Sequence, residues 1–432
     1  MMQSHAGFKN LHIIALIAIL AASPSEASQT PMGIGEAIDI MLANNSSLLS
    51  LRHEMRKAEA FEIQSEGTFT PDLALSAAAD DERTNQTSGG TSQVRLSASQ
   101  TLYSGGRNQA LRRQSGQVRS IAELTLADAE NRAVGELFAR FYNVLLQDRY
   151  AETERSAIAA SELHLREVAR MSELGLSNRL EVIRASQQLA ANRANLSSAE
   201  GLYDSAVISL MNYLAIPPEE RRPAAGSLIT LEAAGGRELS LSEAMKNRAD
   251  LGVLENQAEY QANQIEIERS ASRPRITLGG AVSFFDRERS GNFDDTWRTE
   301  LSITVPILDR NASRGNVIRA QATAAQDKIA LRQKELDIKS GVETAWTELE
   351  TAAEHLEASA KALELAEETL RLAGIGFQEG VTPQLDLLSA QTSLTESRLG
   401  HLRSLYNHML AVIALKVTEG NIIAWAEEME FQ

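Results

Sequence analysis

Apolar and polar residues alternate at period two in four short stretches of this chain. Leu73, Leu75, Ala77 and Ala79 follow Pro71, and Val94, Leu96, Ala98 and Leu102 follow a polar loop from Arg83 to Ser92. Ile276, Leu278, Gly280, Val282 and Phe284 come after Pro274, and a second polar loop, Arg287 to Thr296, leads into Trp297, Leu301, Ile303, Val305 and Ile307. Period two sends successive side chains to opposite faces, so these stretches predict strands at about 72–82, 92–102, 275–286 and 297–307, each with one apolar and one polar face. About ten residues is the length that crosses an outer membrane when tilted, apolar side to lipid and polar side to a wet lumen. A soluble four-stranded sheet with one solvated face carries the same pattern. Four strands do not close a barrel, so a membrane reading requires several chains to pool their strands. Phe284, Phe285, Trp297 and Tyr103 lie toward the strand ends, where an aromatic girdle would sit.

A different period governs the runs from about Arg107 to Met171 and from Asn311 to Gly374. Neither contains a proline and glycines are few, so each predicts a helix extending roughly 95 Å at 1.5 Å per residue. In the second run Val342, Ala345, Leu349, Ala352, Leu356, Ser359, Leu363, Ala366, Leu370 and Ala373 step by three and four without a break. That repeat implies left-handed supercoiling against a neighbour, with the Leu/Ala alternation allowing close approach. An intramolecular coiled coil satisfies it equally well.

The elements come in the same order twice. With an offset of 205 residues, Leu174-Gly175-Leu176-Ser177-Asn178-Arg179-Leu180-Glu181-Val182 aligns with Glu379-Gly380-Val381-Thr382-Pro383-Gln384-Leu385-Asp386-Leu387. Ala185 and Leu189 then meet Ala390 and Leu394, while Glu36-Ala37-Ile38 and Glu243-Ala244-Met245 open the two halves. Each half reads as a helix, two strands, a very long helix, a glycine turn and a returning helix. Gly175 and Gly380 permit the tight reversal, Ser177 and Thr382 are N-cap types, and Pro383 suits a first helical position. The chain thus divides into residues 1–27, a first repeat 28–214, an irregular linker 215–240 rich in proline and glycine, a second repeat 241–418 and a tail 419–432. Linker and tail together are expected to pack as a belt around the middle of the helices.

Composition narrows the function. Of 432 residues 43% are hydrophobic but only 5% aromatic, which favours long helices, and a net charge of −16 repels nucleic acid. Lys9, the apolar run Leu11 to Ala22 and the small residues at Ser25-Glu26-Ala27 read as a secretory leader cut after Ala27. Without cysteine there are no disulfides, thiolate metal sites or thiol nucleophiles, which suits an oxidising compartment. His53, His164, His355, His401 and His408 are scattered without ligand spacing, and Tyr103-Ser104-Gly105-Gly106-Arg107 lacks the lysine of a phosphate loop. No enzyme, cofactor or metal site is therefore expected.

Pro71 and Pro274 before the strands, Leu102-Tyr103-Ser104-Gly105-Gly106-Arg107 after a strand pair, and the two glycine tips, in this duplicated order, resemble the TolC-like outer membrane efflux proteins. The resemblance covers essentially the whole mature chain. It implies a mainly α fold with a membrane β-barrel: a homotrimer whose twelve strands form one barrel in outer-membrane lipid, continued by a twelve-helix periplasmic α-barrel. It also implies docking to a periplasmic adaptor protein that links this duct to an inner-membrane transporter, the source of energy. In the family, carboxylates near the second tip line a closed entrance; Asp386 holds that place, and the repeat puts Glu181 at the equivalent point of the first half. Leu174, Gly175, Leu176 and Ser177 with Gly380, Val381 and Thr382 are the expected adaptor-docking tips.

Departures from the family pattern are local. The second strand-to-helix turn, Pro306-Ile307-Leu308-Asp309-Arg310-Asn311, lacks the double glycine of the first. Thr382 stands where the archetype has a gate-linking arginine, Phe377 replaces its tyrosine, and Ser389 replaces the further aspartate. Two alternatives stay open from sequence: the outer component of a type I protein secretion system, and a periplasmic coiled-coil adaptor or scaffold without a pore.

Overall fold

A computed structural model of the chain describes residues 31–83, 88–231, 235–286 and 294–430. The leader expected at 1–27 lies outside these residues, as does the centre of each polar strand loop. Two short helices, α1 (Ile34–Asn44) and α2 (Ser46–Gly67), precede strands β1 (Asp72–Arg83) and β2 (Ser88–Tyr103). Helix α3 (Arg107–Glu173) follows and turns into α4 (Arg179–Tyr213). The same order then returns: α5 (Arg237–Asn247), α6 (Ala249–Ser270), β3 (Arg275–Asp286), β4 (Asp294–Thr304), α7 (Ala312–Gln378) and α8 (Gln384–Glu419), closed by α9 (Ile422–Glu430).

Several boundaries differ from expectation for identifiable reasons. The opening helix of each half is two helices. At Asn45 the backbone turns extended, and its Oδ1 accepts the N–H of Ser47 (3.0 Å) and Leu48 (3.3 Å), so the side chain caps a new helix where the old one stops. Arg248 breaks the second half in the same place, and its guanidinium bonds Asp250 at 2.9 and 2.6 Å. Strand β2 begins at Ser88, four residues before the expected 92, because the polar Ser88-to-Ser92 segment pairs in register with the end of β1. Strand β4 covers 294–304 where 297–307 was expected. Its start pairs with Phe284 and Phe285, and its ladder stops at Arg275↔Thr304 because β3 begins just after Pro274; Pro306 has no N–H with which to continue. Helix α5 starts at Arg237, inside the segment expected to be irregular.

Helices α3 and α7 are 67 residues each and run roughly 100 Å. Each pairs with the helix that returns from its tip, α3 with α4 and α7 with α8, and α3 also touches α8. Along α7 the expected stripe faces inward: Val342, Ala345, Leu349 and Ala366 are buried and the other members half-buried. The large buried side chains of the helices concentrate in one place. There Phe138 and Phe141 of α3, Leu210 and Met211 of α4, and Met409 and Val412 of α8 form the main core. Segments from outside the helix pairs complete it. Met32 forms a bridge with Ala224 of the linker, Leu231 is buried, and Trp425 of α9 lies 5.7 Å from Phe138. A buried pair, Lys416 to Glu419 at 2.7 Å, is joined by the Ser240 hydroxyl at 2.6 Å and ties α8 to α5.

Candidate functional site

Two regions carry candidate function: the sheet at one end of the long helices and the hairpin tips at the other. The sheet has the order β1-β2-β3-β4, all antiparallel, with β1 and β4 as its edges. Residues opposite one another share a face, so the register tests the alternation read from sequence. It aligns Leu75, Leu96, Val282 and Trp297 in one cross-strand row and Leu278 with Leu301 in another. Leu73, Leu75, Trp297 and Ile303 are exposed, Trp297 by 77%. The other face carries Ser76, Arg95, Ser283 and Thr296 in one row and Ser97, Ala281 and Arg298 in the next. A four-stranded sheet with a largely exposed apolar face and, among the described residues, no further strand on either edge is not a finished structure in water.

Both tips use the same backbone solution. Leu176 N–H reaches Met171 O (2.8 Å) while Gly175 N–H reaches Ser172 O (3.1 Å); Val381 reaches Gly376 O (2.9 Å) while Gly380 reaches Phe377 O (3.1 Å). These six-to-one and five-to-two bonds close a helix through a left-handed residue, with φ of 75° at Gly175 and 73° at Gly380. The turns leave Leu174 (64%), Leu176 (77%) and Val381 (79%) exposed.

The caps fall one residue later than expected. Asn178, not Ser177, caps α4, its Oδ1 accepting from Glu181 N at 3.1 Å; Pro383, not Thr382, is the extended residue before α8, which begins at Gln384. Ser177 is an equally good cap type, but its hydroxyl is engaged with the Glu181 carboxylate. Thr382 instead sends its N–H to Gly376 O at 3.0 Å and lies so close to Gly376 that a Cβ there would collide with Thr382 Oγ1.

The two expected carboxylates sit in unlike settings. Glu181 is half-buried and held by its own turn, Ser177 Oγ donating to one oxygen and Asn178 Nδ2 to the other (3.3 Å). Asp386 is exposed in the first turn of α8, and its carboxylate has no hydrogen bond or ion pair among the described residues.

Sequence reading missed what joins the tips. Gln384, 6% exposed, gives its amide nitrogen to Glu181 O (3.0 Å) and to His164 Nε2 (3.2 Å) of α3. The His164 ring, 3% exposed, packs edge-on against Phe377 at 5.5 Å, and burial pushes its pKa down against the upward pull of Glu167. A signal was present, because His164 lies between Ser161 and Val168 on the inward stripe of α3, where a polar side chain needs a partner. Among the described residues no three His, Cys, Asp or Glu gather to hold a metal, and no helix is long and apolar enough to cross a membrane.

Comparison with known proteins gives a consistent result. A family model described as outer membrane efflux protein matches residues 37–215 and 240–421. Crystal structures of CusC superpose with a TM-score of 0.80 at 19% identity, over 90% of this chain and 92% of that one. The outer membrane protein VceC of Vibrio cholerae gives 0.79 at 17% identity, over 90% and 96%. The MtrE outer membrane channel of Neisseria gonorrhoeae, in its open state, gives 0.79 at 20% identity, over 90% and 89%. No curated protein matches the sequence. At these identities the structural likeness establishes the fold.

Proposed function

The chain belongs to the outer membrane efflux protein family, and from that premise we propose that three copies assemble into the outer-membrane duct of a tripartite export system. Each chain contributes four strands to a twelve-stranded barrel and two long helix pairs to a periplasmic tube. The two halves of the chain are its structural repeats, with the linker and the tail as a belt. The carrying observation is the sheet: apolar residues aligned across four strands and largely exposed, with no further strand on either edge among the described residues. Closing β4 of one chain onto β1 of the next removes the edges and gives lipid the apolar face, leaving Arg95, Arg298 and the hydroxyls to line water. The chain carries out no chemistry; transport energy comes from an inner-membrane transporter, linked by a periplasmic adaptor.

The tips support a docking role. Leu174, Leu176 and Val381 are apolar, exposed and set on turns whose backbone bonds are already satisfied, so a partner hairpin can cover them without rearrangement. Asp386, unpaired and exposed, supports a ring of three carboxylates at the periplasmic entrance; the braced Glu181 supports a turn-stabilising part more than a place in that ring.

The absence of cysteine makes the assembly directly testable. Cysteine pairs placed along β1 and β4, beginning with Ala74→Cys with Ser302→Cys, are oxidised in isolated outer membranes. Covalent trimers that collapse on reduction are expected. Recovery of the protein from the soluble periplasm, or monomers at every pair tried, overturns the duct.

A further inference from the structure

A cavity of about 180 Å³ lies in the helical wall between α3, α4, α7 and α8, between the core and the tips. Most of its polar side chains are already engaged. The Thr153 hydroxyl donates to Arg149 O (2.9 Å), Ser156 to Glu152 O (3.0 Å), Ser161 to Ala157 O (2.9 Å) and Thr395 to Gln391 O (3.1 Å). The Asn192 amide is spent on Ser161 Oγ (2.7 Å) and Ala157 O (3.3 Å), and Gln188 on Asn192 Oδ1 (3.0 Å). Arg398 turns to Glu367 at 3.1 Å. These donors are spent within the protein, while the Thr392 hydroxyl and the Gln391 amide nitrogen, on the same lining, have no hydrogen-bond partner among the described residues.

Two buried side-chain oxygens of the lining have no partner among the described residues either. Glu154 is 5% exposed and its Oε2 is unsatisfied, although Asn195 bonds the carboxylate; Gln391 Oε1 is also buried and unsatisfied. A buried carboxylate oxygen and an amide oxygen without donors each cost free energy until something positive meets them. Glu396, exposed on the same lining, adds negative charge.

From these two buried, unsatisfied oxygens on one cavity we propose a binding site for a hydrated divalent cation of the magnesium class, with Glu154 as its charged ligand and Gln391 as its neutral one. One buried carboxylate and room for several waters fit an ion that keeps much of its hydration shell and takes few protein ligands. The absence of a three-residue acidic or histidine cluster among the described residues fits the same ion and not a dehydrated one. Bound there, the cation joins α3 to α8 across the wall and so stiffens the helical tube.

The competing occupant is a proton. Burial raises the Glu154 pKa, and a protonated carboxyl could itself serve as the missing donor. The test uses the full chain in detergent, stripped with EDTA, on an Asp386→Asn background so that ions at the entrance do not count. MgCl2 and CaCl2 are titrated calorimetrically against NaCl of equal ionic strength. The expectation is one saturable divalent ion per chain, an affinity about tenfold or more weaker in Glu154→Gln, and tighter binding in Gln391→Glu, which adds a carboxylate. No saturable binding, or an affinity unchanged in both variants, overturns the site and leaves the proton as occupant. If Glu154→Gln does not fold, the Gln391→Glu titration decides alone.

Discussion

The turn from β2 into α3 and the turn from β4 into α7 occupy equivalent places in the two halves, yet they differ in residues and in company. In the first, Gly105 (φ 67°) and Gly106 (φ 93°) lie under the end of α6. A Cβ on Gly105 would meet Arg273 Cβ at 2.8 Å and Ser270 O at 2.9 Å, and Arg273 Nη1 donates to Gly105 O at 2.9 Å. In the second, Arg310 (φ 56°) and Asn311 (φ 63°) take the left-handed conformation with side chains attached, and Ile307 (95%) and Leu308 (89%) stand in the open. Gly105 thus answers a packing requirement set by a neighbour, and the second turn carries side chains where its own chain supplies no such neighbour among the described residues.

The same asymmetry recurs. Helix α6 packs between α3 and α7, whereas α2 packs on α3 but not on α7. His164 is covered by Gln384 from the other half, while the residues at the repeat-equivalent places, Thr369 and Arg179, are both exposed. The β2–β3 pairing, the packing of α6 on α3 and the packing of α8 on α3 each have an unmade counterpart on the outer flanks among the described residues. A neighbouring copy that offered its α2, α4 and β1 to this copy's β4 and α7 would complete them all, which is the geometry the proposed trimer needs.

The largest expected effect tests the crowding at the first turn. Gly105→Val adds a Cβ at positive φ and drives it into backbone, at a cost of about 3 kcal/mol in stability. Asn311→Gly at the open turn should change stability by no more than about 1 kcal/mol. Thermal unfolding of the two variants side by side measures the contrast, and equal losses would mean that the turns are packed alike. Next in size is the open turn's own role. Leu308→Asp puts a charge where the neighbouring copy is expected to bury an apolar side chain, so the trimer should weaken about a hundredfold while helical content is kept. Cross-linking yield and analytical ultracentrifugation report it; an undisturbed trimer would remove Leu308 from the contact.

Much of this asymmetry could not be read from the chain. The alternation at Leu73 to Ala79 and Ile276 to Phe284 specified strands because one face of a sheet is a purely local pattern, and Gly175 and Gly380 specified reversals because few residues adopt positive φ. Helix breaks at Asn45 and Arg248 depend on a side chain competing for backbone amides or gripping a carboxylate two residues on, which leaves no periodic trace. The Gln384 link spans 220 residues to His164, and only the packing of α8 on α3 brings the two together.

That link yields a pH prediction. Burial lowers the pKa of His164 at the tips and of His408 in the helical core, so both bind protons more readily when the chain unfolds. Stability is then complete above about pH 6.5, the ordinary histidine value, and falls as the pH drops below it, by at most about 1.4 kcal/mol per pH unit for each group. At the tips the proton also removes an acceptor: a protonated Nε2 cannot take the Gln384 hydrogen bond, although Glu167 nearby softens the penalty. His164→Gln should flatten the tip contribution and His408→Gln the core one, seen as a smaller fall in melting temperature between pH 7 and 5.5. A fall unchanged in both variants would assign the acid sensitivity to carboxylates.

The smallest expected effect separates the two tip carboxylates. Repetition places Glu181 and Asp386 at equivalent points, and an acid in the first turn of a helix is stabilised by the helix dipole wherever it points. What differs is the use already made of the charge. Ser177 and Asn178 donate to both oxygens of Glu181, so its field is partly answered within its own turn, and Glu181→Gln should cost about 0.5–1 kcal/mol of stability with little effect on ions. Asp386 has no such donors, so in a trimer its three charges are free to act on the lumen, and Asp386→Asn should leave stability nearly unchanged. In planar bilayers the wild-type channel is then expected to prefer cations and to be blocked by divalent ions from the periplasmic side. Asp386→Asn should reduce both by a factor of a few, as expected when one ring of charge is neutralised. A channel whose reversal potential and divalent block survive Asp386→Asn but change in Glu181→Gln would reverse the assignment, and one indifferent to both would move the selective constriction away from the tips.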